Sequence, residues 1–347
     1  MLLRLIKSVF DLRKFNNVDS SYHREAKGII DNLTATLNLE SAKDFPSNTK
    51  LKLQWYMAEC IYSCEKFNGL TRQSSTPSQR KSYLLGGALG AMSDFIIDDV
   101  ELGTEEIKKF KNPLKQDLYS NVVEKLYSIL YHSFIKSLEE DNKTRVLEYY
   151  QLLFDAQLRS KKQNDQKISR EEVDEICKEK GGYSLLFLRA LVNGEITDIE
   201  EKAWYELGAY IQYCNDAQDL HKDLKNEIKT FATTRAELEN IATDLDKQKT
   251  IAFSLIKEIP FHKNQKDYFL FTLYIMGIGI LAKLHRYLKI CDHEFSHERL
   301  SMKRKGEVRS QLLLHKLFTY SFPRVIKYEY ETVERPYNFN LELKNKL

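Results

Sequence analysis

The feature that most constrains the fold is a set of oxygen-bearing side chains spaced four residues apart in an apolar segment. Asn215, Asp219 and Asp223 lie at this spacing within residues 207–223. On an α-helix each step of four residues turns only about 40° around the axis, so the three side chains form one stripe. Acidic residues are rarely buried unless they are paired or bind a metal. The segment therefore predicts a largely buried helix that presents ligands to a cation.

A second acidic stripe lies far upstream, in the run from Ser93 to Asp99. Asp94 and Asp98 are again four residues apart and sit among apolar residues, at the predicted C-terminal end of a helix. Carboxylates are unfavourable there because the helix dipole is negative at that end. Two apolar helices with oxygen ligands suggest a hard divalent cation between them, Mg²⁺ above all, together with a phosphate that shares it.

Composition favours one all-α domain over residues 1–347, with 1–20 and 320–347 as terminal extensions. The chain has 6 Pro and 13 Gly, too few for a β protein with many turns. A formal net charge of +3 does not argue for nucleic acid binding. The five cysteines form no CxxC pair and are interpreted as reduced thiols, which predicts a cytoplasmic protein.

Hydrophobic periodicity predicts long helices and no strand of useful length. The expected helices cover about residues 20–37, 50–67, 78–100, 114–138, 143–160, 198–229, 234–257, 267–290 and 298–318. Two shorter helices, 170–179 and 183–192, are expected on either side of a break at Lys180-Gly181-Gly182. The longest apolar run, Tyr268 to Ala282, is shorter than the roughly 20 residues needed to span a bilayer. We therefore expect a buried core helix and no transmembrane segment.

Four motifs, in the same order and at similar spacing, resemble those of the class I isoprenoid synthase superfamily. Asp94-x-x-x-Asp98-Asp99 is similar to the first aspartate motif of squalene and phytoene synthases. Gln212 with the Asn215 stripe resembles the second metal motif of these enzymes, and the stripe alone resembles that of terpene cyclases. Residues 180–187 are similar to the Lys-Thr-Gly-x-Leu segment of elongating prenyltransferases, and Arg286-Tyr287 to the Arg-Tyr pair of terpene cyclases.

The resemblance implies an isoprenoid synthase fold, with long helices around a central pocket, that acts on a prenyl diphosphate with three Mg²⁺ ions. It implies two metals at Asp94 and Asp98, and a third at Asn215, Asp219 and Asp223. Lys180, Arg286 and Tyr287 would contact the diphosphate as its C–O bond ionises, and Asp99 and Gln212 would contact the substrate. The aromatic residues nearest the motifs are candidates for the pocket wall: Phe95, Tyr183, Phe187, Tyr213, Phe271 and Tyr274. A homodimer is an expectation from the superfamily.

Departures from the motifs leave more than one activity open. Leu102 stands where an elongating enzyme needs its last aspartate, and no Arg-Arg-Gly follows. Asp219 replaces the Ser or Thr of the cyclase motif. We expect a terpene cyclase, and the alternative is a condensing enzyme of the squalene or phytoene type or an elongating prenyltransferase. A solvated helix face explains either stripe taken alone, and a non-catalytic protein on the same fold is a further alternative.

One motif belongs to a different class of enzyme. Residues 293–297 match the His-Glu-x-x-His pattern of zinc peptidases, in which two histidines one helical turn apart bind zinc. The pattern is short, follows the apolar helix in a polar segment, and has no evident third ligand. We therefore expect His293 and His297 to be dispensable for activity.

Overall fold

The computed structural model describes residues 21–37, 47–98, 100, 102–111, 113 and 121–308. These residues form α-helices and short 3₁₀ helices, and no strand occurs among them. The prediction of an all-α protein is confirmed.

Twelve α-helices lie within the described residues. In chain order they are α1 (Ser21–Leu37), α2 (Ser47–Thr71), α3 (Pro77–Asp98), α4 (Thr104–Lys108), α5 (Val122–Ser137), α6 (Glu140–Arg159), α7 (Arg170–Ala190), α8 (Asp198–Lys225), α9 (Leu238–Glu258), α10 (Lys263–Ile290), α11 (His297–Ser301) and α12 (Lys305–Val308).

The described residues fall into two compact units. The first unit comprises those up to Lys161 together with Leu186–Ile196, and the second comprises Lys162–Leu185 and those from Thr197 onward. Each acidic stripe therefore lies in its own unit, Asp94 in the first and Asn215 in the second. The expectation of a single domain stays a prediction.

In the first unit, α3 is buried along most of its length and packs tightly on α2. Gly87 makes this possible, because a Cβ atom there would lie 2.6 Å from the carbonyl oxygen of Tyr56. The helix predicted over about residues 50–67 is longer in the structure. α2 continues to Thr71, and Arg72 ends it with a left-handed φ of 59°.

In the second unit, the predicted helix break at Lys180-Gly181-Gly182 was wrong, because α7 is continuous. Gly181 instead lets α7 cross α8 closely at Gly208. A Cβ at Gly181 would lie 2.3 Å from the Gly208 carbonyl oxygen, and a Cβ at Gly208 would lie 2.2 Å from that of Gly181. Gly182 faces the Tyr205 ring in the same way. These glycines allow close packing of two helices and do not end one.

The start of α8 follows from its sequence. The Thr197 hydroxyl accepts a hydrogen bond from the Glu200 amide, and the Glu200 carboxylate accepts one from the Thr197 amide. This capping box satisfies two amide groups that the first helical turn leaves unpaired. It fixes the helix register and hence the face on which the Asn215 stripe lies.

The apolar helix α10 begins four residues earlier than predicted and is only partly buried. By length and composition it is the one helix among the described residues that could cross a membrane, with 39% of its most apolar window buried. A single helix of this kind is weak evidence for a membrane span, since core helices have the same composition. Phe271 and Ile278 are buried, whereas Met276 is 40% exposed.

Candidate functional site

In the first unit, Asp94 is buried and already has a cationic partner. The Lys52 ammonium lies 2.7 Å from Asp94 Oδ2, and the Tyr56 hydroxyl donates a 3.0 Å hydrogen bond to the same oxygen. Both partners lie on α2, one turn apart. Burial, and then the Asp94 charge, raise the pKa of Tyr56 well above its ordinary value, so Tyr56 stays a donor. α2 thus supplies both a positive charge and a hydrogen-bond donor to the Asp94 carboxylate.

The neighbours of Asp94 in the predicted first motif have different environments. Asp98, at the end of α3, is exposed. Phe95 is buried, and Asp99 lies outside the described residues. The stripe therefore runs from a buried carboxylate to one in solvent at the C-terminal end of α3.

In the second unit, the burial of the side chains also changes along the α8 stripe, here from exposed to buried. Asn215 is exposed, Asp219 is half-buried and lies 3.6 Å from the Lys222 ammonium, and Asp223 is buried. The helix was predicted to be largely buried, and many of its residues are, but Asn215 is exposed. Burial, followed by the charges of Asp216 and Asp219, raises the pKa of Asp223 to about 7.

The most enclosed acid of α8 is Asp216, to which sequence analysis assigned no role. Its carboxylate accepts hydrogen bonds from Gln212 Nε2 (2.7 Å), Cys177 Sγ (3.2 Å) and the Phe231 amide (3.1 Å). Burial raises its pKa, and the Lys180 charge acts in the opposite direction. Gln212, predicted to contact the substrate, is therefore hydrogen-bonded to Asp216, and the charge of Lys180, predicted to contact the diphosphate, acts on the same carboxylate. The sequence offered one signal for this acid: Asp216 follows Asn215 directly but does not share the four-residue spacing of the stripe, so its side chain lies on a different face of the helix.

Residues of α10 face the α8 stripe within the second unit. Burial and the nearby Arg286 guanidinium lower the pKa of Lys283, and the Asp219 carboxylate acts in the opposite direction. Burial, and then the charges of Asp219 and Asp223, raise the pKa of Tyr287. The predicted second metal motif is thus close enough to Tyr287 of the predicted Arg-Tyr pair to interact with it electrostatically.

The two members of the Arg-Tyr pair are placed differently. Tyr287 is fully buried, and its hydroxyl donates a 2.6 Å hydrogen bond to the Gln218 carbonyl, which ties α10 to α8. Arg286 donates to the Glu307 carbonyl, but its Nε atom is buried without a partner in the part of the chain that the structure describes. Arg286 therefore keeps an unsatisfied donor, and Tyr287 does not.

The predicted pocket-wall residues are mostly packed against other aromatic rings. Phe187 packs against Tyr150 in the first unit, and Tyr213 stacks on Phe231 at 3.9 Å in the second. Tyr183 contacts Tyr205 edge-on, and Phe271 is buried. Tyr274 differs, because it lines a crevice between α8, α9 and α10 with Tyr210 and Cys214 among others.

The His-Glu-x-x-His pattern does not form a zinc-binding helix. α10 ends at Ile290 and α11 begins at His297, so the two histidines do not lie one turn apart on one helix. His297 Nε2 donates a 2.8 Å hydrogen bond to the Arg235 carbonyl, and Glu294 pairs with Arg299. The segment is explained by these structural contacts.

No three His, Cys, Asp or Glu side chains converge into a ready-made metal site within residues 21–308 as far as they are described. The α8 donors nevertheless fit a hard cation, because one amide and two carboxylate oxygens lie on successive turns. The pKa of Asp223 is raised by burial first and then by the charges of Asp216 and Asp219, and a divalent cation would offset both effects. A metal at Asp94 would share that carboxylate with Lys52.

Comparison with known proteins leaves the family open. No model of a known protein family matches the chain. No curated protein matches it. Among solved structures, it is similar to a geranyltransferase from Legionella pneumophila, with a TM-score of 0.43, 13% sequence identity, and coverage of 74% of this chain and 98% of that chain. This likeness is too distant to assign a family.

Proposed function

We propose that the chain is a Mg²⁺-dependent class I terpene synthase that ionises a linear prenyl diphosphate, cyclises the carbocation and releases diphosphate. The observation that carries this proposal is the approach of α10 to the α8 stripe. The Tyr287 hydroxyl donates a 2.6 Å hydrogen bond to the Gln218 carbonyl beside Asp219, and the Asp219 charge acts on both Lys283 and Tyr287, with Arg286 next to Lys283. Metal ligands beside guanidinium and ammonium donors are the groups that an anionic diphosphate requires.

Asn215, Asp219 and Asp223 would hold one Mg²⁺, and Asp94 and Asp98 would hold two more. Bound Mg²⁺ supplies Lewis acidity to the oxygen atoms of a leaving diphosphate. Arg286 and Lys283 would supply two neighbouring positive charges to the same anion. Lys283 has a lowered pKa, so an arriving anion would stabilise its charged form.

The Tyr287 hydroxyl has one proton, and it is donated to the Gln218 carbonyl. We therefore assign to Tyr287 the structural task of holding α10 against α8. Lys180 would act on Asp216 and so keep Gln212 oriented. Apolar and aromatic groups would exclude water from the cation, whose charge the faces of aromatic rings favour.

A prenyl diphosphate-condensing enzyme is the second candidate. This candidate is favoured by Asp219, because the motif of terpene cyclases has Ser or Thr at the corresponding position. A condensing enzyme joins two prenyl substrates, whereas a cyclase needs one. The two activities are separated by their products and not by the metal ligands.

The test is diphosphate release from C10, C15, C20 and C25 prenyl diphosphates with Mg²⁺. Asn215→Ala and Asp223→Asn should each lower the rate by about 100-fold or more, a typical effect of losing a group that stabilises developing charge. Asp198→Asn removes an exposed carboxylate in the first turn of the same helix and is the matched control. Wild-type rates in both stripe variants would refute the metal assignment.

A further inference from the structure

We propose that Arg235 is a positioning residue that fixes the α8 acidic stripe by clamping the segment 226–237, which follows α8, onto α7 and α9. The inference rests on the proposed function, because it concerns the same metal ligands. It assigns a role to a residue that lies outside all four sequence motifs.

The Arg235 side chain is 3% exposed and is surrounded by acceptors. Its Nη2 atom lies 2.8 Å from Asp174 Oδ2 on α7, and its Nε lies 3.1 Å from Asp244 Oδ2 on α9. A guanidinium that pairs with two carboxylates through several donors has little freedom to move. Arg235 therefore joins α7 and α9 through the segment that carries it.

Arg235 also holds the ring and the backbone of Phe231. The guanidinium lies 3.9 Å from the centroid of the Phe231 ring, and Nη1 donates a 2.8 Å hydrogen bond to the Phe231 carbonyl. The opposite partner of this ring is Tyr213 of α8, stacked at 3.9 Å with an interplanar angle of 10°. The stack of Arg235, Phe231 and Tyr213 fixes the segment against α8.

The fixed segment delivers hydrogen-bond donors to the acids of α8. The Phe231 amide donates a hydrogen bond to Asp216 Oδ2, and Gln212 Nε2 donates one to the other oxygen of the same carboxylate. The Ile228 amide of the same segment donates a 2.9 Å hydrogen bond to the Asp223 carbonyl. Arg235 thus acts on α8 at Asp216, next to Asn215, and at Asp223 through two backbone amides of the segment that it holds, and it touches none of the proposed ligands itself.

The contact of His297 with Arg235 completes the clamp. The His297 ring donates to the Arg235 carbonyl, so α11 covers the segment from a further side. Gln163 binds the same segment upstream, through the Lys229 carbonyl at 2.7 Å and the Lys229 amide at 2.8 Å. Groups that orient metal ligands through such contacts typically change metal affinity by about 10–100-fold when they are altered.

The experiment measures Mn²⁺ binding by electron paramagnetic resonance, with inorganic pyrophosphate present, for the full chain. Arg235→Lys keeps the charge but cannot engage both carboxylates, so we expect binding about 10–100-fold weaker than in the wild type. Phe231→Leu, which keeps the backbone donor but removes the stack, should weaken binding in the same direction and is used if Arg235→Lys does not fold.

The matched control is Arg80→Lys, because Arg80 also pairs with two carboxylates, Glu25 and Glu65, but lies in the first unit. It should lower the thermal midpoint and leave Mn²⁺ affinity unchanged. Unchanged affinity in folded Arg235→Lys and Phe231→Leu would overturn the positioning role while the proposed function stands. Absence of Mn²⁺ binding by the wild type would refute the proposed function, and the inference with it.

Discussion

The Lys52 ammonium lies 2.7 Å from the carboxylate of Asp94, one of the two acids predicted to hold metal in the first unit. Asp94 is buried, whereas the Lys52 side chain is 33% exposed. The pair gives Asp94 a structural role in joining α3 to α2 that is independent of any metal. The two roles make different predictions for the two residues.

Replacing the two partners should have unequal effects on stability. Lys52→Met leaves a buried carboxylate without its cation and should lower the free energy of unfolding by about 1–3 kcal/mol. Asp94→Asn should cost less, because the amide oxygen still accepts from Tyr56 and Lys52 can reach water. Urea unfolding measures both values.

The same variants separate the structural role of Asp94 from its proposed role in catalysis. Asp94→Asn should slow diphosphate release by about 100-fold, the scale of losing charge stabilisation, whereas Lys52→Met should keep most of the activity once folded. Equal losses in the two folded variants would show that Asp94 acts only as the partner of Lys52.

The crossing of α7 and α8 predicts the effect of adding one methyl group. Gly181→Ala or Gly208→Ala places a Cβ within 2.3 Å of backbone and should lower the free energy of unfolding by about 1–3 kcal/mol. Gly279→Ala on α10 meets nothing within 4 Å and should leave stability unchanged or raise it by up to about 1 kcal/mol. Thermal unfolding of the three variants checks this, and equal effects would contradict the close crossing.

The burial of His297 predicts a loss of stability in mild acid. Its pKa is lowered by burial, so the unfolded chain binds the proton more readily than the folded chain does. Stability is therefore greatest above the unfolded pKa of about 6.5 and falls as the pH drops toward the folded value. His297→Gln should flatten this part of the curve of unfolding free energy against pH. Exposed His293 is the control, and an unchanged slope in His297→Gln would contradict the assignment.

Tyr287 and Arg286 should respond differently to substitution. Tyr287→Phe removes a buried hydrogen bond to Gln218 and should cost about 1 kcal/mol of stability, with a small effect on turnover. Arg286→Gln should leave stability close to that of the wild type but reduce diphosphate release strongly. Urea unfolding and initial rates separate the two effects. A large loss of turnover in folded Tyr287→Phe would show that the Tyr287 hydroxyl takes part in the reaction.

Much of the fold could be predicted from the sequence because helical periodicity and the scarcity of Pro and Gly are local signals. The error at Lys180-Gly181-Gly182 has a physical cause. Two adjacent glycines weaken a helix locally, but here Gly208 on another helix compensates through close packing. Such a pairing is a tertiary contact, which spacing along the chain does not reveal.

The sequence could predict which helices carry the candidate ligands, but not how buried each side chain is or which groups contact it. Spacing placed Asn215, Asp219 and Asp223 on one face of α8, and the structure has them on one helix. Spacing could not show that Asn215 is exposed, that Lys52 pairs with Asp94, or that Arg235 packs on Phe231. Each of these depends on side chains from distant parts of the chain.

The most direct test of the account is to incubate the purified protein with Mg²⁺ and each of the C10 to C25 prenyl diphosphates, singly and with isopentenyl diphosphate, and to identify the products by gas chromatography and mass spectrometry. We predict a cyclic hydrocarbon or alcohol from one substrate alone, with release of diphosphate. A longer linear product would favour the condensing enzyme. The absence of any product and of diphosphate release from all of these substrates would contradict the account.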